Sequence, residues 1–260
     1  MSIRNLIIKK KIVSCRNRAG EYFYIGRAGA TFRTEASLQI YMITNASPLI
    51  LASTSPRRAE LLGQLGVNFK AISSNIAEIH HGELTAREIC QINAYRKARA
   101  VAKKHPDAMV LGADTLVYIE TKVYGKPATL EKAYQMLEEL QGKTHRVTTA
   151  VCLLHLRSHR QRILTDDTVV TFRPLDSSKI RRYLAAVDPL DKAGGYAIQE
   201  HGAEIVESIS GSYTNVVGLP LEKLAVELQT WAGIPAFFTG QASFMATKAA
   251  VGAGSRRFAQ

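Results

Sequence analysis

The stretch LILASTSPRRAELL, Leu49 to Leu62, connects a short apolar run to a helix through a serine-rich turn. The apolar run is far too short to span a membrane and is typical of a buried strand. Ser55 followed by Pro56 predicts the start of the helix, with serine as the N-cap and proline at the first helical position. A strand that leads into a helix in this way is the repeating unit of α/β proteins.

The turn between this strand and its helix carries groups that bind anions. The N–H groups at a helix N-terminus have no partner within the helix, and the helix dipole favours negative charge there. Ser53 and Ser55 add hydroxyl donors, while Arg57 and Arg58 add positive charge with bidentate reach. The turn therefore indicates a phosphate site; the alternative is a plain capped helix with two surface arginines.

Strand and helix patterns alternate from this stretch to about residue 231. Apolar runs and alternation predict strands at 67–72, 108–112, 145–155, 163–172 and 203–209, the third and fourth as an antiparallel pair. Apolar residues at helical spacing predict helices at 85–103, 130–140 and 180–187, and a last one from Pro220. We therefore predict one α/β unit with two lobes around a cleft.

The net charge of +12 on 260 residues is the feature that suggests a nucleic-acid binder. Most of this charge lies at the two ends: eight Lys and Arg against two acids in 1–46, and three against none in 232–260. Basic ends are usually solvated tails, so we predict no nucleic-acid partner. No apolar run approaches the length of a spanning helix, so we also predict no membrane partner.

The three cysteines, Cys15, Cys90 and Cys152, are widely separated in the sequence. This spacing argues against a disulfide framework and against a structural zinc site, and it favours a reducing cytoplasm.

Composition divides the chain into three parts. Residues 1–46 are basic and show no clear period, and we expect them to lie outside the enzyme, as an extension upstream of Met42 or, alternatively, a transit peptide. Residues 47–235 should form the catalytic domain. Residues 236–260 are rich in Ala, Gly and Ser and are expected to be a poorly ordered tail.

Three further segments carry residues suited to phosphate chemistry. Asp114, in VLGADT, follows an apolar strand and is suited to binding a hard cation or orienting a water. Lys126, in GKP, is suited to placing a point charge on a phosphate. Gln199 ends a glycine-rich loop and offers both a donor and an acceptor to the edge of a base. Taken singly, each also fits an ordinary turn or loop residue.

Together these segments resemble the Maf family of nucleotide pyrophosphatases from residue 48 to residue 231. The resemblance is carried by six motifs in family order: ASTSPRR, GADT, GKP, THRVTTAV, DPLDKAGGYAIQ and SGSYTNVVGLPL. It implies a single Maf/ITPase-like domain with a long mixed β-sheet and a substrate cleft between two lobes. It also implies hydrolysis of a nucleoside triphosphate to the monophosphate and pyrophosphate, with a divalent cation such as Mg²⁺, Mn²⁺ or Co²⁺.

The same resemblance gives roles to individual residues. Asp114 matches the family's proton acceptor, and Glu78 matches an acid that shares the metal with it. The other matched positions bind the substrate. Lys97 and Lys126 match lysines that contact the phosphates, and Ser53 and Arg57 match phosphate and specificity positions.

The substrate branch is indicated by Arg57, Thr115 and Gln199, which resemble the branch that acts on dTTP and UTP. The alternatives are 7-methyl-GTP or a modified nucleotide, and a nucleotide-sensing regulator of septum formation. Retention of the acids and lysines named above favours the enzyme, because a binding module needs no metal-activated water. The resemblance also suggests a homodimer.

Two departures from the family pattern stand close to these positions. Ala77 lies where relatives often carry a second acid, which weakens the metal assignment. Gln91-Ile92-Asn93 lies where an arginine–leucine pairing is common, and we expect this change to affect helix packing only.

Overall fold

The computed structural model describes residues 13–16, 22–25, 31–32, 49–80, 82–234 and 236. The chain forms two compact units, Met1–Ser47 and Pro48–Gln260. In the first unit, β1 (Val13–Arg16), β2 (Tyr22–Ile25) and β3 (Thr31–Phe32) form an antiparallel sheet. The sequence predicts no strand there, because its apolar residues follow no regular alternation. That this segment lies outside the enzyme stays a prediction, and the expected tail falls outside the described residues except for Ala236.

The second unit alternates strands and helices as predicted. Its strands are β4 (Leu49–Leu51), β5 (Phe69–Ala71), β6 (Met109–Ile119), β7 (Lys122–Tyr124), β8 (Thr144–His155), β9 (Arg160–Phe172) and β10 (Val206–Ser210). Its helices are α1 (Pro56–Gly63), α2 (Ala86–Ala102), α3 (Leu130–Leu140), α4 (Ser177–Ala186), α5 (Gly202–Ile205), α6 (Tyr213–Val217) and α7 (Leu221–Glu227), with a 3₁₀ turn at Ala193–Gly195 and a π-helical turn at Leu228–Ala232.

The seven strands of this unit form one mixed sheet in the order β10-β9-β8-β6-β4-β5, with β7 beside β6. Strand β4 runs parallel to β5 and to β6, and the pairs β6–β8, β8–β9 and β9–β10 are antiparallel. The α/β class, the mixed sheet and the antiparallel pairing of the two long strands are therefore confirmed. No helix within the described residues is long and apolar enough to cross a membrane.

Strand β6 changes partners along one of its edges. Its first residues, Met109–Leu111, pair with β4, and its last, Val117–Ile119, pair with β7, while β8 accompanies the opposite edge from Val110 to Tyr118. Residues 112–116 therefore have a strand partner on one side only, which splits the sheet into two parts at this point. The predicted end of this strand at residue 112 was wrong, because the pairing with β8 continues through Asp114 to Tyr118.

Helix α2 crosses β6 at Gly112, where the two backbones come unusually close. A Cβ atom at this position would lie 2.3 Å from the carbonyl oxygen of Ala94 and 2.6 Å from the amide nitrogen of Ala98. Because real Cβ contacts are never this short, only glycine fits. The glycine thus brings the inner face of α2 onto the even-numbered residues of β6, among them Asp114.

The two faces of β6 are covered by different helices. Val110 and Leu116 pack with Ile89 and Ala94 of α2. Leu111 and Ala113 belong to a separate core cluster, which includes residues of α1 and α7: Leu61, Leu62, Leu221 and Leu224. Alternation along the strand therefore directs Asp114 towards α2 and Thr115 towards α1.

The segment predicted as a strand at 203–209 is divided in the structure. Gly202–Ile205 forms a helical turn, preceded by His201 in the left-handed conformation, and the strand begins only at Val206. Pairing with β9 begins at Val206, opposite Phe172, so the predicted strand was wrong for the residues before Val206. The predicted strand at 67–72 is likewise shorter, at Phe69–Ala71.

Candidate active site

A cleft of about 380 Å³ opens where the sheet splits. Its walls are the turn from β4 to α1, the segment 73–78, the middle of β6 and the loop 191–199. The structure brings every predicted site residue to this cleft, although these residues span 147 positions of the sequence. They are Ser53, Arg57, Glu78, Lys97, Asp114, Thr115, Lys126 and Gln199.

Two carboxylates meet one lysine in the wall of the cleft. The Nζ atom of Lys97 lies 2.6 Å from Glu78 Oε1 and 2.6 Å from Asp114 Oδ1. Lys97 and Asp114 are buried, whereas Glu78 is half-buried. Lys97 therefore holds the two acids at one point, and it also donates to the carbonyl oxygen of Ala113 at 3.5 Å. Its contact with the phosphates stays a prediction.

Asn93 contacts the carboxylate oxygen of Asp114 that Lys97 does not contact, and so orients this side chain. Its amide nitrogen donates to Asp114 Oδ2 at 3.2 Å and to the carbonyl oxygen of Ile79 at 3.1 Å, and its Oδ1 accepts from the amide of Ile79 at 2.8 Å. Asn93 stands four residues before Lys97, so both side chains lie on the same face of α2. Its role exceeds the helix packing that the sequence suggested, since this fully buried amide links Asp114 to the segment that carries Glu78.

The two acids have pKa values shifted in opposite directions. Burial raises the pKa of Asp114, because the attraction of Lys97 offsets it only in part and Glu78 adds repulsion. Burial acts on Glu78 in the same direction, but the ion pair and hydrogen bond with Lys97 outweigh it and lower the pKa of Glu78. Neighbouring carboxyl groups with separated pKa values are typical of sites that perform acid–base chemistry.

The same two acids form a donor set suited to a hard divalent cation. Mg²⁺ is usually bound by one or two carboxylates together with waters and substrate phosphates. No cluster of three or more His, Cys, Asp or Glu that would hold a metal occurs among the described residues. A cation held by Glu78 and Asp114 would therefore be completed by waters and substrate phosphates. The convergence of Glu78 and Asp114 on one cationic group shows that this pair fits a positive charge.

The start of α1 faces the cleft with its N-terminal turn. Ser55 is the N-cap and Pro56 follows it, as predicted, but the Ser55 hydroxyl makes no capping hydrogen bond. Ser53 instead accepts a hydrogen bond from the Ser55 amide at 3.2 Å through its Oγ. Both serines line the cleft, so their hydroxyl groups lie beside the N–H groups of the helix end.

The two arginines of this turn have different partners. Arg57 donates from Nη1 to Asp191 Oδ2 at 2.8 Å and from Nη2 to the carbonyl oxygen of Asp191 at 3.3 Å. Arg58 donates to the carbonyl oxygen of Gly218 at 3.1 Å and to Thr115 Oγ1 at 3.0 Å. Burial lowers the pKa of Arg58, although Asp114 and Glu78 act against this shift. Arg58 therefore braces β6, whereas Arg57 lies nearer the cleft surface.

Lys126 and Gln199 are the exposed members of the site. Lys126 follows Gly125, whose carbonyl oxygen accepts a hydrogen bond from the amide of Gly194 at 3.0 Å. This bond joins the lysine loop to the loop that carries Gln199. Gly194 has a φ of 72°, in the left-handed region that favours glycine, which explains the glycines in this loop.

Comparisons with known proteins identify the family to which the sequence is similar. The family model described as Maf-like protein matches residues 48–231. Among curated proteins, the chain is 45% identical over 177 residues to a dTTP/UTP pyrophosphatase of Pelotomaculum thermopropionicum, covering 68% of this chain and 93% of that protein. It is 46% identical over 175 residues to a dTTP/UTP pyrophosphatase of Akkermansia muciniphila, covering 67% and 91%.

Among solved structures, similarity is lower. A HAM1 protein from Coxiella burnetii matches with a TM-score of 0.34 and 18% identity, covering 48% of this chain and 73% of that chain. The Staphylococcus aureus Ham1 protein matches with a TM-score of 0.37 and 12% identity, covering 60% and 90%.

Proposed function

This chain belongs to the Maf-like protein family, and we propose that it hydrolyses dTTP and UTP to the nucleoside monophosphate and pyrophosphate. The observation that carries the proposal is the convergence of buried Lys97 and Asp114 with half-buried Glu78 in the wall of a cleft that also contains Arg57 and Lys126. The names of the curated relatives support the choice of substrate.

Binding of the triphosphate is assigned to the rim of the cleft. The N-terminal turn of α1 offers backbone and serine donors, and Arg57 and Lys126 offer positive charge. A triphosphate carries several negative charges, and such fixed donors and cations stabilise both the bound anion and the charge that develops on it during cleavage. Because Lys97 contacts two carboxylates, we propose that its main role is to position Glu78 and Asp114, and that binding of the phosphates is a secondary role.

Acceptance of a proton from the attacking water is assigned to Asp114. Its raised pKa makes it a better base than an ordinary aspartate, and burial in the wall of the cleft keeps it close to the substrate. Asn93 and Lys97 each hold one of its oxygens, which fixes the direction of the carboxylate. Fixed orientation lowers the cost of reaching the reactive geometry.

We further propose that Glu78 and Asp114 hold a divalent cation. When bound, the cation would supply Lewis-acid polarisation of a phosphoryl oxygen and a lower pKa for a bound water. The support is the chemistry of the pair: two carboxylates that converge on one positive group beside the phosphate-binding turn.

Base selection is assigned mainly to Gln199. The hydroxyl of Thr115 is already engaged with Arg58 at 3.0 Å and with Thr149 at 3.0 Å, so Thr115 supports the site from within. Gln199 is exposed in the cleft, and its amide can both donate and accept along the edge of thymine or uracil.

We also propose that the enzyme works in a reducing compartment such as the cytoplasm, since Cys90 and Cys152 are buried free thiols. The homodimer that the family resemblance suggested stays a prediction.

The test is a panel of dTTP, UTP, CTP, GTP and 7-methyl-GTP, each with Mg²⁺, Mn²⁺, Co²⁺ or EDTA, with pyrophosphate as the readout. We expect turnover of dTTP and UTP with a divalent cation and none with EDTA. Preference for 7-methyl-GTP would move the protein to the other branch of the family. Absence of pyrophosphate from every nucleotide would contradict the proposed activity.

A further inference from the structure

Each carboxylate oxygen of Asp191 contacts a positively charged side chain. Oδ2 accepts from Arg57 Nη1 at 2.8 Å, and Oδ1 accepts from Lys192 Nζ at 3.1 Å. The backbone carbonyl of the same residue accepts from Arg57 Nη2 at 3.3 Å. Arg57 thus makes two hydrogen bonds to one residue, an arrangement that fixes the plane of a guanidinium group.

The loop that contains Asp191 is itself anchored. Lys192 is buried, and its ammonium group contacts the carbonyl oxygen of Asp188 and, at 3.5 Å, the carboxylate of Glu200. The loop from Asp188 to Glu200 is therefore tied together at its two ends by one lysine. Gln199, the residue assigned to the base, lies within this anchored span.

Among the described residues, Arg57 makes no side-chain hydrogen bond other than those with Asp191. A guanidinium group has five N–H donors, and the two contacts with Asp191 use two of them. Arg57 lines the cleft, so a triphosphate can be met by the edge that Asp191 does not hold.

We propose that Asp191 is a positioning residue that presents Arg57 to the triphosphate and joins it to the loop that carries Gln199. This inference rests on the proposed function and deepens it, since it links recognition of the phosphates to recognition of the base. The competing interpretation treats the Asp191 carboxylate as a placeholder that the triphosphate displaces from Arg57.

The experiment compares Asp191→Asn with wild-type protein, and uses Asp188→Asn as the matched control on the same loop. Asp188 is exposed and its carboxylate accepts from the Leu190 amide, so the control removes the same charge without touching Arg57. We measure kcat and KM for dTTP, and the Kd of α,β-methylene-dTTP, which resists cleavage. Thermal unfolding confirms that each variant is folded.

We expect Asp191→Asn to raise KM and Kd about tenfold and to change kcat by less than about threefold, while Asp188→Asn stays within about twofold of wild type. Asp191→Glu restores the charge and should recover part of the affinity. If Asp191→Asn does not fold, Asp191→Ser and Asp191→Glu carry the same comparison. Tighter binding by Asp191→Asn would support the placeholder, and equal effects in both aspartate variants would indicate a general loop effect; each overturns the inference.

A double-mutant cycle tests the link between the two residues. Arg57→Gln should weaken binding about as much as Asp191→Asn, and the double variant should lose no more than either alone. Losses that multiply would show that the residues act independently, which overturns the inference. A wild-type protein that binds the analogue but does not cleave dTTP would contradict the proposed activity and leave these Kd values to decide on Asp191. A wild-type protein that binds no triphosphate overturns both.

Discussion

The ammonium group of Lys97 lies 2.6 Å from Asp114 Oδ1, and the two side chains retain only 10% and 3% of their exposure to solvent. A buried ion pair of this kind adds little to the free energy of unfolding compared with apolar packing. Loss of one partner is nevertheless destabilising, because it leaves an uncompensated buried charge. Glu78 adds a second carboxylate on the same lysine. Lys97 is therefore the residue on which the stability of the site depends.

Replacement of Lys97 by Met should lower the free energy of unfolding by about 3 kcal/mol, because two acids lose their shared counter-charge. The measurement is urea unfolding at pH 7. The matched control is Lys122→Met, which removes an exposed pair with Glu139 and should cost less than about 1 kcal/mol. Similar costs in both variants would show that Lys97 is not the buried counter-charge described above.

Asp114→Asn keeps the shape of the side chain and removes its charge. We expect kcat for dTTP to fall by about two orders of magnitude or more, because both the proton acceptor and a metal ligand are lost. The thermal midpoint should change little, because Glu78 remains as the counter-charge of Lys97. Asp107→Asn, which removes an exposed carboxylate paired with Arg157, is the control and should retain activity. Normal turnover by Asp114→Asn would assign Asp114 a structural role.

His145 should make stability depend on pH. It is buried against Phe172 and Tyr196, and burial lowers the pKa of His145 from 6.5 to about 4. Between these values the unfolded chain binds a proton that the folded chain does not, so stability rises with pH. The contribution is complete above the unfolded value of 6.5 and is lost as pH falls towards 4.

The full loss from this group corresponds to about 3 kcal/mol of unfolding free energy. Urea unfolding at a series of pH values should show it in the wild type, and His145→Gln should flatten the curve in this window. If the two proteins have parallel curves, His145 titrates normally in the folded state.

Gln199→Ala should reduce selectivity for pyrimidines. A site built to pair with a base edge loses about 1–3 kcal/mol when a buried polar group is left unpaired. We therefore expect kcat/KM to fall more for dTTP and UTP than for GTP. Gln135→Ala, on α3, is the control, because its amide contacts Lys132 and Glu131. Equal losses across the nucleotide panel would assign Gln199 to the fold or to the phosphates.

Local patterns were sufficient to predict much of the fold. The buried strand followed by Ser55 and Pro56 forms the predicted turn, and the helices with clear apolar spacing lie where expected. The extent of β6 could not be predicted, because its continuation through Asp114 depends on pairing with β8. The start of β10 likewise depends on its pairing with β9, opposite Phe172.

The site was predicted as a set of residues but not as a set of contacts. The family resemblance named eight residues that the structure brings to one cleft, yet the contacts of Lys97 with the two acids and of Arg57 with Asp191 join distant segments. Asn93 had a usable signal, since it lies one helical turn from Lys97 on the same face. Its partner at Ile79 comes from another segment, which the sequence does not reveal.

A pyrophosphatase breaks the bond between the α- and β-phosphates of the triphosphate. Purified full-length protein is incubated with dTTP and Mg²⁺, and the products are separated by anion-exchange chromatography and quantified. We expect dTMP and pyrophosphate in equal amounts, and we expect this activity to be lost in Asp114→Asn. Release of orthophosphate with dTDP, or equal activity in the variant, would contradict it.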